Sequence, residues 1–386
     1  MVNLFLHRPR QLFLRRLNFQ IHLWAGILLT VYLVVIGLSG SLLVFRSELE
    51  RLGKPHAPAH ELQTDVATVV HNVQTAYPDS RVVSVNTPSL DEPAFIAVLD
   101  GLPGRTKIAC KPSDGSVIGE IQPKRTWLDI TRDLHATLLF PRHGEGRMWN
   151  GVGAAFLLLL NLTGLVIWWP GIRLWKRALK VDLARGWRRI NFDLHVSVGF
   201  WTLLISSFWA VSAIYFAWPR QAFLLVDSFS RILTARPPRV TVTPQLTMPD
   251  PDLAALIAHA HELDPGTSLH SVVFPYSARS PLAVLMRRRD APGYEYVDTV
   301  YFNPYDGSYI STWRYGVNQS LGDWLIWLEV PLHFGTYWGL GVKIIWALVG
   351  LAIPLLSITG VLMYWNRALR RRWKRLRTSP HASRQQ

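Results

Sequence analysis

Arg15-Arg16-Leu17-Asn18-Phe19-Gln20-Ile21-His22 opens a long apolar run, and Arg188-Arg189-Ile190-Asn191-Phe192-Asp193-Leu194-His195 opens another. Five of the eight positions are identical and two more are conservative. Such a match at the head of two apolar runs reads as one unit occurring twice. It puts His22 and His195 in equivalent places.

The apolar runs are free of Asp, Glu, Lys and Arg over 23–45 and 194–219, and the same holds for 148–172 and 344–366. Each window has 23 to 26 residues, and about 20 suffice to cross ~30 Å of hydrocarbon. The 386-residue chain is 49% hydrophobic and only 17% charged, with 17 tryptophans, the composition of a membrane protein. The expected fold class is an α-helical membrane protein with four transmembrane helices. The first window is too long for a removable signal peptide and lacks a small-residue cleavage site, so it is expected to remain as an anchor.

A net charge of +15 raises the question of nucleic acid. Segments 1–22, 170–194 and 366–386 hold 4, 7 and 8 Lys/Arg, 19 of the 41, against two acidic residues, Asp182 and Asp193. The remaining chain has 22 basic and 24 acidic residues. The excess therefore marks the cytoplasmic side of a membrane protein, placing both termini and the 173–193 loop inside. No nucleic-acid partner is expected; the partner of the spans is membrane lipid. Cys110 is the only cysteine, which excludes an intramolecular disulfide, Cys-Cys zinc sites, cysteine-ligated iron–sulfur clusters and Cys-x-x-Cys-His haem attachment.

The segments between spans repeat one plan. Val66, Val69, Val70 and Val73 fall at helical spacing, followed by strands over 81–86, 95–100 and 106–120, the last folded at Ser113-Asp114-Gly115. In the second half Leu253, Leu256, Ile257 and Ala260 mark a helix, followed by strands near 271–274, 281–287 and 296–310. Pro112-Ser113-Asp114-Gly115-Ser116 matches Pro304-Tyr305-Asp306-Gly307-Ser308, Leu134-His135 matches Leu332-His333, and Thr163-Gly164 matches Thr359-Gly360. The expected organisation is a basic segment 1–22, span 23–45, a small α+β domain 46–130, a histidine segment 131–147, span 148–172 and a loop 173–193. Span 194–219, a second α+β domain 220–328, a second histidine segment 329–343, span 344–366 and a basic tail 367–386 complete it.

Two spans per half make the copies parallel repeats, related by an axis along the membrane normal. Equivalent histidines then share a depth: His22 with His195 near the cytoplasmic face, His135 with His333 near the outer face. Paired neutral imidazoles from facing helices hold a six-coordinate b-type haem, so the sequence offers two bis-histidine haem sites. Isolated intramembrane histidines would instead pack or hydrogen-bond between helices; four recurring at matched depth point to function. Arg132, Arg142 and Arg147 flank the outer pair and are candidates for haem propionates or an anionic substrate. Arg15, Arg16, Arg188 and Arg189 flank the inner pair, where topology alone accounts for them. His56/His60 and His259/His261 have metal-compatible spacing but are read as solvated side chains, and His143 stands as a further substrate-side candidate. The near-span tryptophans are read mostly as an interfacial belt. Gly151-Val152-Gly153 follows no strand and is not a dinucleotide fingerprint.

Four spans, two extracytoplasmic segments with the Pro-x-Asp-Gly-Ser hairpin, and histidines at the span entrances resemble the PepSY-associated transmembrane proteins, the PiuB-like iron-regulated membrane proteins. The likeness is nearest to the ferrisiderophore reductases of the bacterial inner membrane. It implies two PepSY-like periplasmic domains and a di-haem b-type reductase that delivers electrons to ferric siderophores, releasing Fe(II). On this implication His22, His195, His135 and His333 are the axial ligands, and the electron donor is a quinol or a cytoplasmic reductase. No side-chain acid, base or nucleophile is needed. Two other classes compete: a metal or siderophore permease using intramembrane histidines, and a PepSY-type sensor or regulatory membrane protein.

Overall fold

The computed structural model describes residues 13–52, 64–89, 92–101, 104–121, 125–140, 145–172, 174–233, 237–240, 252–288, 297–336 and 338–369. In chain order the elements that position the site are α1 (Phe13–Leu43), α2 (Val66–Ala76), β1 (Arg81–Asn86), β2 (Phe95–Gly101), β3 (Gly104–Cys110), β4 (Val117–Glu120), α3 (Trp127–Thr137) and α4 (Gly146–Trp168). They continue as α5 (Trp187–Ala217), α6 (Leu253–Leu263), β5 (Thr267–Val273), β6 (Leu282–Arg288), β7 (Val297–Phe302), β8 (Tyr309–Trp313), α7 (Leu321–Phe334) and α8 (Gly339–Tyr364). They form two units. One comprises Met1–Arg46, Thr126–Leu225 and Glu329–Gln386, the other Ser47–Arg125 and Val226–Leu328.

In the first unit α1, α4, α5 and α8 are long and apolar enough to cross a membrane, one for each expected span. Each packs on two neighbours: α1 on α4 and α8, and α5 on the same two. That order sets α1 and α5 diagonally across a four-helix bundle. Small residues allow the close crossings. A Cβ on Gly37 would collide with Pro354, one on Gly350 with Ser41, and one on Gly153 with Tyr32. Gly151 likewise abuts Ala217 and Trp218, so the two glycines of Gly151-Val152-Gly153 serve helix packing.

Two helices extend beyond their charge-free windows, α1 starting at Phe13 and α5 at Trp187. An uncharged window measures hydrocarbon thickness, whereas arginine, asparagine and glutamine continue a helix at little cost. His22 and His195 consequently lie two to three turns inside their helices. Arg15 uses the extra turns: its guanidinium donates to the carbonyls of Ile167 and Trp169, which the end of α4 leaves without helical partners.

The second unit contains all the expected strands, and it joins them. The sheet order is β4-β3-β2-β1-β5-β6-β7-β8. The two segments, expected as separate domains, are two antiparallel meanders sharing one eight-stranded sheet through β1 and β5, paired at Ser84↔Val273, Val85↔Val272 and Asn86↔Ser271. Val69 and Val73 of α2 enter one hydrophobic core with Leu256 and Ala260 of α6 and with Val85, Val272, Val284, Met286 and Phe302 of the sheet. Cys110 is buried in the same core. Both matched turns are built alike. Asp114 accepts from the backbone N–H of Ser116, and Asp306 from that of Ser308, with Gly115 at φ 69° and Gly307 at φ 72°. Aspartate and glycine are the turn residues that supply those two features.

Gly37→Leu should destabilise the detergent-solubilised protein by about 1–3 kcal/mol, the usual cost of overpacking. Gly341→Ala, where a Cβ meets open space, should be neutral or stabilising by up to ~1 kcal/mol. Equal melting temperatures for the two variants would contradict the proposed crossing of α1 and α8.

Candidate functional site

His22 on α1 and His195 on α5 face each other across the bundle with ring centroids 6.2 Å apart and planes at 88°. His135 on α3 and His333 on α7 form a second pair, with centroids 6.4 Å apart and planes at 61°. The structure thus brings together all four histidines singled out in the sequence, in the expected combinations. Along α1, His22 lies 17 residues before Ser39, which contacts His135. The pairs therefore occupy levels about 25 Å apart at 1.5 Å per residue.

Short helices deliver the second pair. Thr126 and Asp129 close a capping box at the start of α3, and α3 packs on α1 and α4. Leu138 and Leu139 then take positive φ, 52° and 65°, and turn the chain into α4. Asn150 donates to the carbonyl oxygen of His135, tying the end of α3 to the first turns of α4. In α7, His333 follows Pro331 and precedes Gly335 at φ 68°. The Trp346 indole of α8 donates to the carbonyl of Leu332.

Every ring is held through Nδ1. His22 Nδ1 lies 3.1 Å from Thr163 Oγ1 and 3.1 Å from the Leu160 carbonyl oxygen. His195 Nδ1 lies 3.0 Å from Thr359 Oγ1, His135 Nδ1 3.0 Å from Ser39 Oγ, and His333 Nδ1 2.6 Å from Ser212 Oγ. Burial pushes His135 down to about 4. It also pushes His333 down to about 3, with the neighbouring His135 adding to the shift. Both are therefore neutral imidazoles at ordinary pH, the form that binds metal.

The spacing tests whether these pairs fit an iron ion. With metal–imidazole bonds of about 2.0–2.1 Å and a ring nitrogen ~1.1 Å from its centroid, two imidazoles on opposite sides of one metal set their centroids about 6.3 Å apart. Both observed separations agree with that value. Glycine lets the backbone of a neighbouring helix come close against two of the rings. A Cβ at Gly164 would lie 3.2 Å from His22 Cε1, and one at Gly360 would lie 3.3 Å from His195 Cε1. The indole N–H groups of Trp168 and Trp209 are buried without a partner among the described residues, donors suited to an acidic cofactor edge.

The other candidates divide. Arg132 is ion-paired with Asp129 and Asp133, so its charge is already engaged within α3. Arg147 is exposed on the first turn of α4. Arg142, His143, His56 and His60 lie outside the described residues. Near the first pair Arg189 pairs with the buried Asp193. His259 is half-buried against Phe302 and Tyr309, whereas His261 is exposed, as expected, with its ring bonded to the Ile257 carbonyl of its own helix. The sequence reading did not single out Ser39 and Ser212. A signal was present, because 173 residues separate them, as they separate His22 and His195.

A bundle of four membrane-length helices with two half-buried histidine pairs defines the class. The chain belongs to the family described as PepSY-associated TM region, whose model matches residues 19–367. No curated protein matches it.

Glu329, one turn before His333 on α7, has a buried Oε2 without a hydrogen-bond partner among the described residues, and burial pushes its carboxyl up from 4.5 to about 7. Between those values the folded chain holds a proton that the unfolded chain has lost, so stability falls as pH rises through that window. Glu329→Gln should raise the unfolding temperature at about pH 8 and change it little near pH 4.5. An equal shift at both pH values would contradict the burial of an ionisable carboxyl there.

Proposed function

We propose that this protein is a di-haem b-type reductase of the bacterial inner membrane that gives electrons to ferric siderophores in the periplasm and releases their iron as Fe(II). The observation that carries this reading is the pair of facing imidazole couples at 6.2 and 6.4 Å. His22 and His195 would hold one haem, His135 and His333 the other. When bound, a b-type haem supplies a one-electron ferric/ferrous couple. The chain supplies the rest. The imidazoles would hold the iron, the hydroxyls would orient the imidazoles, and the packed helices would limit the access of water. Arg142 and Arg147, which follow His135 by 7 and 12 residues in the sequence, would meet a propionate or an anionic substrate.

The proposed chemistry is balanced by one electron per iron, drawn from a quinol or a cytoplasmic reductase. Hard oxygen donors hold Fe(III) far better than Fe(II), so a single electron loosens the metal. Both termini and the 173–193 loop would be cytoplasmic, on the grounds of their basic excess, and the two PepSY-like segments periplasmic.

His22→Ala or His195→Ala should lower haem content from about two per chain to about one, and His135→Ala or His333→Ala should remove the other haem. Retention of both haems in all four single variants would overturn the ligand assignment. In proteoliposomes supplied with a donor, the second-pair variants should lose reduction of an external ferric hydroxamate, read by a coloured Fe(II) chelator. Wild-type rates in a variant shown to lack that haem would contradict outward delivery through it. Iron entering the liposomes with no Fe(II) formed would favour the permease reading.

A further inference from the structure

Four hydroxyl side chains do the same thing at four places. Thr163 meets His22, Thr359 meets His195, Ser39 meets His135 and Ser212 meets His333, always at Nδ1. Each hydroxyl comes from a transmembrane helix other than the one carrying its histidine. Each is followed by a small residue, Gly40, Gly164, Ala213 or Gly360. At three of them the reason is visible: a Cβ on Gly40, Gly164 or Gly360 would press on Cε1 of the same imidazole that the preceding hydroxyl bonds. Hydroxyl and small residue thus form one seat for one ring.

The hydroxyl hydrogens are already committed. Ser39 donates to the carbonyl of Val35 at 2.7 Å, Thr163 to Leu159 at 2.7 Å, Thr359 to Leu355 at 2.7 Å, and Ser212 to Trp209 at 3.0 Å. This back-bonding to the preceding turn is a habit of serine and threonine in helices. An oxygen whose hydrogen is spent can only accept, so the proton at each contact belongs to Nδ1. At His22 the carbonyl of Leu160, which can only accept, requires the same. The neutral ring then has its lone pair on Nε2. Two such rings, with centroids 6.2 or 6.4 Å apart, would each offer Nε2 to a cation held between them.

We propose that Ser39, Thr163, Ser212 and Thr359 are positioning residues that lock all four imidazoles in the Nδ1–H tautomer and make Nε2 the ligating atom at both centres. This rests on the di-haem reading and adds to it how ligand basicity is set, since an accepted Nδ1–H makes the opposite nitrogen a stronger donor to metal. A stronger donor favours ferric over ferrous iron. Loss of the acceptor should therefore raise the midpoint potential of the centre it serves.

The test uses full-length, haem-loaded protein and spectroelectrochemical titration. Thr163→Val keeps the shape and removes the acceptor; Thr163→Ser restores it. Thr163→Val should retain two haems and weaken the ferric preference of the His22/His195 centre by up to about tenfold, a rise of up to ~59 mV for one electron. The other midpoint should stay put. Thr163→Ser should return to the wild-type value, and Ser41→Ala, whose hydroxyl bonds the Gly37 carbonyl of its own helix, should move neither. Ser212→Ala should shift the His135/His333 centre instead, and provides the test if Thr163→Val fails to assemble. Two haems with unchanged midpoints in both Thr163→Val and Ser212→Ala would overturn the positioning role alone. Equal movement of both midpoints in one variant would also overturn it. Wild-type protein without haem would overturn the di-haem reading, and this proposal with it.

Discussion

A neutral imidazole brought into a membrane bundle needs a partner for its N–H, because an unsatisfied polar group in an apolar medium costs roughly 2–7 kcal/mol. The structure meets that need four times with a serine or threonine hydroxyl on a neighbouring helix. Much of the bundle follows from this constraint. Helices must approach closely enough for a short side chain to reach across, so glycine or alanine follows each hydroxyl. Thr163 reaches His22 from α4 and Thr359 reaches His195 from α8, which ties the diagonal helices α1 and α5 to their neighbours. Between the two levels Leu33, Leu160 and Ile353 fill the centre of the bundle.

The sheet unit answers a different constraint. A four-stranded meander leaves two edges, and an exposed edge invites pairing with other chains. Here β1 and β5 cover each other, leaving β4 and β8 as the outer strands. The two helices α2 and α6 share one core with the joined sheet. Each half alone would leave part of that core without its other wall. The two segments are thereby bound into a single sheet with one core.

Local and periodic features were legible in the sequence. Charge-free windows located the spans, alternation and turn chemistry located the strands, and the repeated Arg-Arg-x-Asn-Phe octet placed His22 opposite His195. What escaped was non-local or hidden by composition. The β1–β5 pairing joins strands nearly two hundred residues apart, with no turn signal between them. Helix α1 begins ten residues before its uncharged window because charge marks the membrane boundary without ending a helix. Ser39 and Ser212 were hidden among small residues that suit helix packing equally well, and only their shared spacing with the histidines distinguished them. Arg132 looked available from its position in the chain, but Asp129 and Asp133 lie within one turn of it and take its charge.

The central claim is that two histidine pairs exist to hold two haems. A dithionite-reduced minus oxidised visible spectrum of the detergent-purified wild-type protein, with a pyridine haemochrome count, tests it most directly. Sharp b-type α and Soret bands at about two haems per chain are expected, one for each bis-histidine pair. A colourless protein after haem-replete expression would contradict it and return the histidines to a role in transport or sensing.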